Sequence, residues 1–389
     1  MKIHHRLFLA GIAAAVPAIP LVGRADDMAA NTGSAAWRAA ENNMLDERWA
    51  PSAITLADGR SALIAGGYSY SAGTCVSTAD IYDEATNRFI PLQSRMTFPR
   101  DFATASLLPN GRVVIAGGYN LVLGSIKTME IFDPVLKRFS VLPTQLTQAR
   151  ELFTATTLKD GRILFIGGFD THAHHTLDTA EIYDPVVETI THTAGRMSDD
   201  RFGHESILLN DGTVLVIGGK HWQVGKPDRP FASAEIFDPV TGHFEQLPSK
   251  MSTPRDRPTL ALLPDGSVLV AGGQNGSDGP KGCDIYDPVT KTFRPAKSLH
   301  IDRMAHGQAI SGGAIFVAGG WQQSGHRSNS TVEMYEPLKG EWRDATALPW
   351  DALDLAFVSF SDGAVLAAGG KFVGGGKEGS RATGAAMRP

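Results

Sequence analysis

The sequence predicts an all-β chain in which seven four-stranded antiparallel sheets stand in a closed ring, and three observations lead there. Glycine pairs recur along the chain, ending at Gly67, Gly118, Gly168, Gly219, Gly273, Gly320 and Gly370, with spacings of 51, 50, 51, 54, 47 and 50 residues. Each pair closes two apolar runs joined by a turn dipeptide, as in ATASLLPNGRVVIAGG and FTATTLKDGRILFIGG. A third apolar run follows after a loop of variable length (TADIYD, MEIFD, AEIYD, AEIFD, CDIYD, VEMYE), and then an aromatic at Phe89, Phe139, Phe244, Phe293 or Trp342, with Ile190 in the third unit. Self-similarity at this period marks a repeat architecture.

Within a unit the elements follow in order. The dipeptides Asp58-Gly59, Asn110-Gly111, Asp160-Gly161, Asp211-Gly212, Asp265-Gly266, Gly312-Gly313 and Asp362-Gly363 suit positive φ, so strands one and two are expected as hairpins on type I′ turns. The third run and the aromatic segment supply strands three and four. Seven such sheets around an axis make a β-propeller, whose closure leaves only short strand edges.

Closure is legible at the chain ends. After Gly370 no complete third and fourth strand remains, whereas Trp37, Met44 and Arg48 repeat the intervals of Phe89, Met96 and Arg100, of Phe244, Met251 and Arg255, and of Ile190, Met197 and Arg201. Residues 34–39 are therefore expected as the outer strand of a seventh blade whose inner hairpin is 355–370. Residues 371–389 are expected either as a weakly structured tail or, through TGAAMRP, as that blade's third strand.

The glycine pair, the EIYD tyrosine or phenylalanine and the fourth-strand aromatic together resemble the kelch-repeat family, over essentially all of the chain after residue 25. The resemblance implies a propeller that serves as a binding platform. It also implies two enzyme alternatives: a periplasmic sugar epimerase or mutarotase, and a copper-dependent carbohydrate oxidase similar to galactose oxidase.

Residues 1–25 combine Lys2 and Arg6 with an apolar stretch from Leu7 to Val22 and small residues Gly23 and Ala25, the layout of a cleaved export signal. The expected location is periplasmic or secreted, with residues 26–389 as one domain and no integral membrane segment after cleavage. Removing three basic residues and no acid moves the formal charge from −5 to −8. An acidic chain without a basic run excludes nucleic acid as the natural partner. Cys75 and Cys283 fall in different blades, so no disulfide is expected. A monomer is expected.

Antiparallel pairing puts the residues before strand one beside those after the glycine pair, on one rim. The first group holds Arg48, Arg100, Arg150, Arg201, Arg255 and Arg303, with Ala352 at the seventh position. These arginines can hold a third-strand acid such as Glu181 or Glu235, or they can grip an anionic ligand. Rim acids and bases that could serve catalysis are Glu151, Asp200, His204 and His306. His204 and His306 are read as channel hydrogen-bonders or ligand contacts. Tyr70, Trp222 and Trp321 are candidate aromatic contacts for a peptide or glycan, with Tyr68 and Phe231 open to the same reading. His172, His174 and His175 in DTHAHH are read as a loop, and as weak metal candidates together with the other rim histidines His221 and His326. No cofactor is expected, with copper and zinc left open. The functional expectation is binding of a protein, peptide or carbohydrate rather than catalysis.

Overall fold

A computed structural model describes residues 36–389 except 224, 276–278 and 280. The predicted export signal lies outside the described residues. Among the described residues seven antiparallel sheets form the ring, each with a four-strand path, and blade 4 carries a short fifth strand, Arg229–Pro230, on the end of its second. Blade 1 uses strands Ser52–Thr55, Ser61–Ala65, Ala79–Asp83 and Arg88–Pro91 from the channel outwards. Blades 2 to 6 repeat this order, and the first strands of successive blades lie side by side around the axis, the seventh meeting the first. Among the described residues there is no helix long and apolar enough to cross a membrane.

Alternation along each strand gives every blade two apolar faces, and seven inter-blade cores result. Leu63, Ala65 and Ile81 of blade 1 pack on Val113, Ile115 and Phe132 of blade 2, and Ile64 and Tyr82 pack on Val358, Phe360 and Leu366 of blade 7. The fourth-strand aromatics lie against the third-strand aromatic of their own blade, with centroids 4.9 Å apart for Phe132 and Phe139 and 4.8 Å for Phe237 and Phe244.

Both chain ends build blade 7. Strands Ala356–Ser359, Val365–Ala368 and Gly384–Met387 are capped by Arg38–Ala39, with Arg38 opposite Ala386. Trp37 fills the aromatic position, 6.2 Å from Phe357, and its indole N–H donates to the Thr346 carbonyl at 2.8 Å. Residues Lys371–Gly374 and Lys377–Ser380 form a separate hairpin on the rim.

The turn prediction needs correction. In blades 2, 3, 4, 5 and 7 three residues, not two, connect the inner strands, and only the glycine has positive φ, as in Leu108 to Arg112 with Gly111 at 82°. The aspartate or asparagine instead accepts backbone N–H groups beyond the turn, such as Arg112 N–H on Asn110 Oδ1 at 3.1 Å. This is a type I turn followed by a left-handed glycine, which the same dipeptide serves equally well. Blade 6 alone has both turn residues, Gly312 and Gly313, at positive φ between directly paired Ser311 and Ala314.

Candidate binding face

The arginines pin the rim connectors to their own blades. Each guanidinium lies over its own blade: Arg100 Nη1 donates to the Gly117 carbonyl at 2.8 Å and Nη2 to Glu130 at 2.9 Å. The same pairing joins Arg48 to Asp80, Arg150 to Glu181, Arg201 to Glu235, Arg255 to Asp284 and Arg303 to Glu333. The second carboxylate oxygen accepts a backbone N–H from the incoming connector, as Thr97 N–H does on Glu130 at 2.7 Å. All six arginines are at most 1% exposed.

Their carbonyls face the other way. Gly118 N–H of blade 2 donates to the Arg150 carbonyl at 2.9 Å, and equivalent bonds run from Gly67 to Arg100, Gly168 to Arg201, Gly219 to Arg255, Gly273 to Arg303, Gly320 to Ala352 and Gly370 to Arg48. A Cβ on Gly117 would stand 2.7 Å from that Arg150 oxygen. The glycine pair is thus demanded by close approach of the next blade's backbone as well as by positive φ. Each arginine joins the preceding blade through its backbone and its own blade through its side chain. In blade 7, where Ala352 lacks the guanidinium, Trp350 Nε1 takes over the Gly369 carbonyl at 3.2 Å.

Two residues past each arginine position the chain turns left-handed at the channel mouth. Ala50, Phe102, Leu152, Gly203, Arg257, Ala305 and Asp354, one per blade, all have φ between 49° and 63°. Backbone N–H groups link them across blades: Phe102 to Ala50, Ala50 to Asp354, Gly203 to Leu152, Arg257 to Gly203 and Asp354 to Ala305, at 2.8 to 3.3 Å. Inter-blade hydrogen bonds offset the strain of placing Phe102 and Leu152 in this region. Gly203, and more weakly Asp354, advertise this conformation in the sequence.

Around this belt the rim is aromatic and acidic. Trp49, Phe102, Leu152, Phe169 and Phe202 form one buried cluster, flanked by Tyr68, Tyr70 and Trp222. Trp49 Nε1 donates to Asp354 Oδ2 at 2.7 Å. Lys371 Nζ lies 4.7 Å from the Trp49 ring and 5.1 Å from Tyr70. Asp101 and Glu151 are 2% exposed, and burial holds both carboxyls well above the usual range, with Asp354 adding to the effect on Asp101 and Asp101 and Asp170 to that on Glu151. Two-stranded hairpins rise on the same face at Tyr68–Ser69 with Thr74–Cys75, Tyr119–Asn120 with Gly124–Ser125, Phe169–Asp170 with His175–Thr176, and Trp321–Gln322 with Arg327–Ser328.

The expected site residues divide accordingly. Arg100, Arg150, Arg201, Arg255 and Arg303 sit at the rim but beneath it, buried, with their Nη donors spent on backbone and carboxylate, and so do not face a ligand. His204 and His306 do not line the channel. The inner strand's side chains alternate between neighbouring blades, so His204 Nε2 meets Thr154 Oγ1 of blade 3 at 3.1 Å and His306 Nε2 meets Thr259 Oγ1 of blade 5 at 2.9 Å. Burial first, then the nearby Arg201 charge, push His204 down to about 3, and burial and Arg303 lower His306 likewise. Trp222 stands edge-on to Phe169 at 5.2 Å, Trp321 is half-buried with its indole N–H on Gln323 at 2.9 Å, and Tyr70 is half-buried against Trp49. Phe231 is buried under Arg201, 5.3 Å from its guanidinium carbon.

The histidines do not converge. His172 Nε2 contacts the Ser125 carbonyl of blade 2 at 2.9 Å, His174 and His175 are exposed, and His221 pairs with Asp200 at 2.8 Å. Among the described residues the His, Cys, Asp and Glu grouping with metal-ligand spacing is His300, Glu333 and Asp344, outside this mouth, and its Glu333 is already spent on Arg303. Cys75 is buried and free, its thiol pushed up mainly by burial, far from a reactive thiolate. The rim residues therefore do not fit a copper centre of histidines with a thiol-linked tyrosine. Trp49, Asp354, Arg257 and Lys371 were not foreseen at the mouth. The signal available was their fixed offset from the arginine position or the glycine pair.

A sequence model of the kelch motif matches residues 303–349, which run from the blade 6 arginine to its fourth strand. The chain is 26% identical to Kelch-like protein 36 of Bos taurus over 180 residues, 44% of this chain and 28% of that protein. It is 30% identical to human Kelch-like protein 35 over 164 residues, 42% of this chain and 26% of that protein. The match spans about a quarter of those relatives' length. Among solved structures it is similar to a fungal alcohol oxidase of the AA5 family in complex with copper, with a TM-score of 0.70, 18% identity, and coverage of 92% of this chain and 77% of that one. At that identity the likeness is one of fold.

Proposed function

We propose that this kelch-repeat propeller is an exported platform that binds a protein or peptide on the face carrying the rim hairpins. The observation that carries the reading is the tip of the blade 2 hairpin, where Leu121, Val122 and Leu123 are 49%, 88% and 47% exposed in succession. The tip is shaped rather than slack: Asn120 Oδ1 accepts the N–H groups of Val122 and Leu123 at 2.9 and 3.0 Å. A preformed apolar tip beside the rim aromatics matches apolar side chains of a partner better than a hydroxyl-rich sugar.

Selection of a displayed random-peptide library on the purified protein tests the reading. Enriched peptides should bind the Leu121→Ser, Val122→Ser, Leu123→Ser variant at least about tenfold more weakly, a loss of about 1.4 kcal/mol. Val240→Ser, at an exposed turn between the third and fourth strands of blade 4, should leave binding unchanged. Peptides indifferent to the tip variant, or no enrichment at all, refute it. Export is checked separately by the intact mass of the protein from its native host, which should begin near residue 26 and not at Met1.

A further inference from the structure

Six buried third-strand acids, Asp80, Glu130, Glu181, Glu235, Asp284 and Glu333, each have an arginine partner. Asp101 and Glu151 are just as buried and have none. Asp101 Oδ1 and Glu151 Oε2 lie out of solvent without a hydrogen-bond donor, although a buried carboxyl without one costs on the order of several kcal/mol. The Cys75 thiol beside Asp101 is a weak donor at most. Both carboxyls occupy the position directly after a rim arginine, paired by backbone to Tyr119 and Phe169. The Tyr119 hairpin, with its Leu121 to Leu123 tip, rises from the blade between them.

From this geometry we propose that Asp101 and Glu151 form a receiving site for a cationic side chain, a guanidinium or ammonium group flanked by apolar residues, of the peptide bound at the hairpin tip. The inference rests on the binding face proposed above and deepens it. A small metal ion is the poorer occupant, because among the described residues neither carboxyl belongs to a group of three His, Cys, Asp or Glu ligand atoms within 4.8 Å of one another. A guanidinium has five donors in a plane, enough for more than one carboxyl, and its face accepts an aromatic side chain such as that of Tyr119, paired by backbone to Asp101. Among the described residues the other charged or titratable groups acting on the pair are Asp170, Asp354, Tyr119 and Cys75, and no cation is paired with it as the arginines are with the other six acids. Burial keeps the two carboxyls protonated while the site is empty, and an entering cation would release those protons and pair with the carboxylates so formed.

The probes are N-acetyl-arginine methylamide and its uncharged isostere N-acetyl-citrulline methylamide, titrated calorimetrically against the full chain. The arginine compound should bind at least about tenfold more tightly than citrulline, and the Asp101→Asn, Glu151→Gln variant should lose that preference while melting no lower than wild type. Single Glu151→Gln serves if the double variant does not fold. Equal binding of both probes, no binding of either, or an arginine preference that survives the substitutions overturns the site. If peptides selected on the face depend on the Leu121 to Leu123 tip yet carry no cation and ignore the acid variants, this inference falls and the binding face stands. If the arginine probe binds as expected while no peptide depends on the tip, the acid site stands and the binding face falls.

Discussion

The backbone N–H of Gly370 donates to the carbonyl of Arg48 at 2.8 Å, and this bond closes the ring between the last blade and the first. It is the seventh copy of a link that elsewhere joins consecutive blades. Here alone it joins opposite ends of the chain. Gly370 has φ of 92°, and a Cβ there would stand 2.8 Å from that of Ala352. Gly370→Ala should therefore lower the melting temperature by about as much as Gly118→Ala, on the order of several degrees each, as read by calorimetry. A neutral Gly370→Ala would show that the closing link contributes nothing.

Deletion of residues 26–45 removes the Arg38–Ala39 strand, the Trp37 contact with Phe357, the Asn42 bond to Phe89 and the buried Met44. The seventh blade would be left with an open third strand. A fall in melting temperature on the order of 10 °C is expected, checked by differential scanning fluorimetry.

Arg201 and Glu235 form a buried pair at 3.0 Å, and Arg303 and Glu333 one at 2.7 Å. Arg201→Ala leaves Glu235 buried and uncompensated, which costs about 3–5 kcal/mol. The Arg201→Ala, Arg303→Ala double variant should lose stability in urea denaturation as the sum of the two singles, since the pairs share no partner. It should not behave as a folded protein with merely weaker ligand binding.

Two sets of groups tilt the pH profile in opposite directions. His204, pushed down to about 3, and His306, also lowered, stay neutral when folded, while an unfolded histidine takes a proton near 6.5. Their contribution is present above about 6.5 and is lost as pH falls towards 3, by at most about 1.4 kcal/mol per pH unit per histidine. Asp101, Glu151 and Glu205, all raised by burial, hold protons in the folded state that the unfolded chain releases above about 4, so stability falls as pH rises from there. In melts from pH 4 to 9, Asp101→Asn with Glu151→Gln should flatten the alkaline limb, and His204→Asn with His306→Asn the acid limb. Unchanged limbs would show that these groups do not titrate across unfolding.

The positions that could be read without coordinates were those where chemistry and repetition agree. Trp37, Met44 and Arg48 echo three internal triplets, and the N-terminal strand lies where that echo puts it. Glu181 and Glu235 were legible as arginine partners because the third strand carries an acid at the same step. The turn type was not legible, since Asp-Gly and Asn-Gly suit both a type I′ turn and a type I turn with a left-handed glycine. His204 was misplaced for a similar reason: strand alternation fixes that neighbouring residues face opposite ways, and only packed neighbours tell which side holds the channel.

The sequence by itself determined the repeat, the strand order, the count of seven and the joining of the chain ends, because hydrophobic period and glycine spacing are local properties that every unit restates. Tertiary structure alone decided which charges meet a partner. Arg150 and Glu151 are neighbours in the chain and both leave solvent, yet one finds Glu181 and two carbonyls while Oε2 of the other finds no donor among the described residues. Burial and pairing depend on what the adjoining blade brings within hydrogen-bond distance, and that is a property of the closed ring rather than of any one repeat.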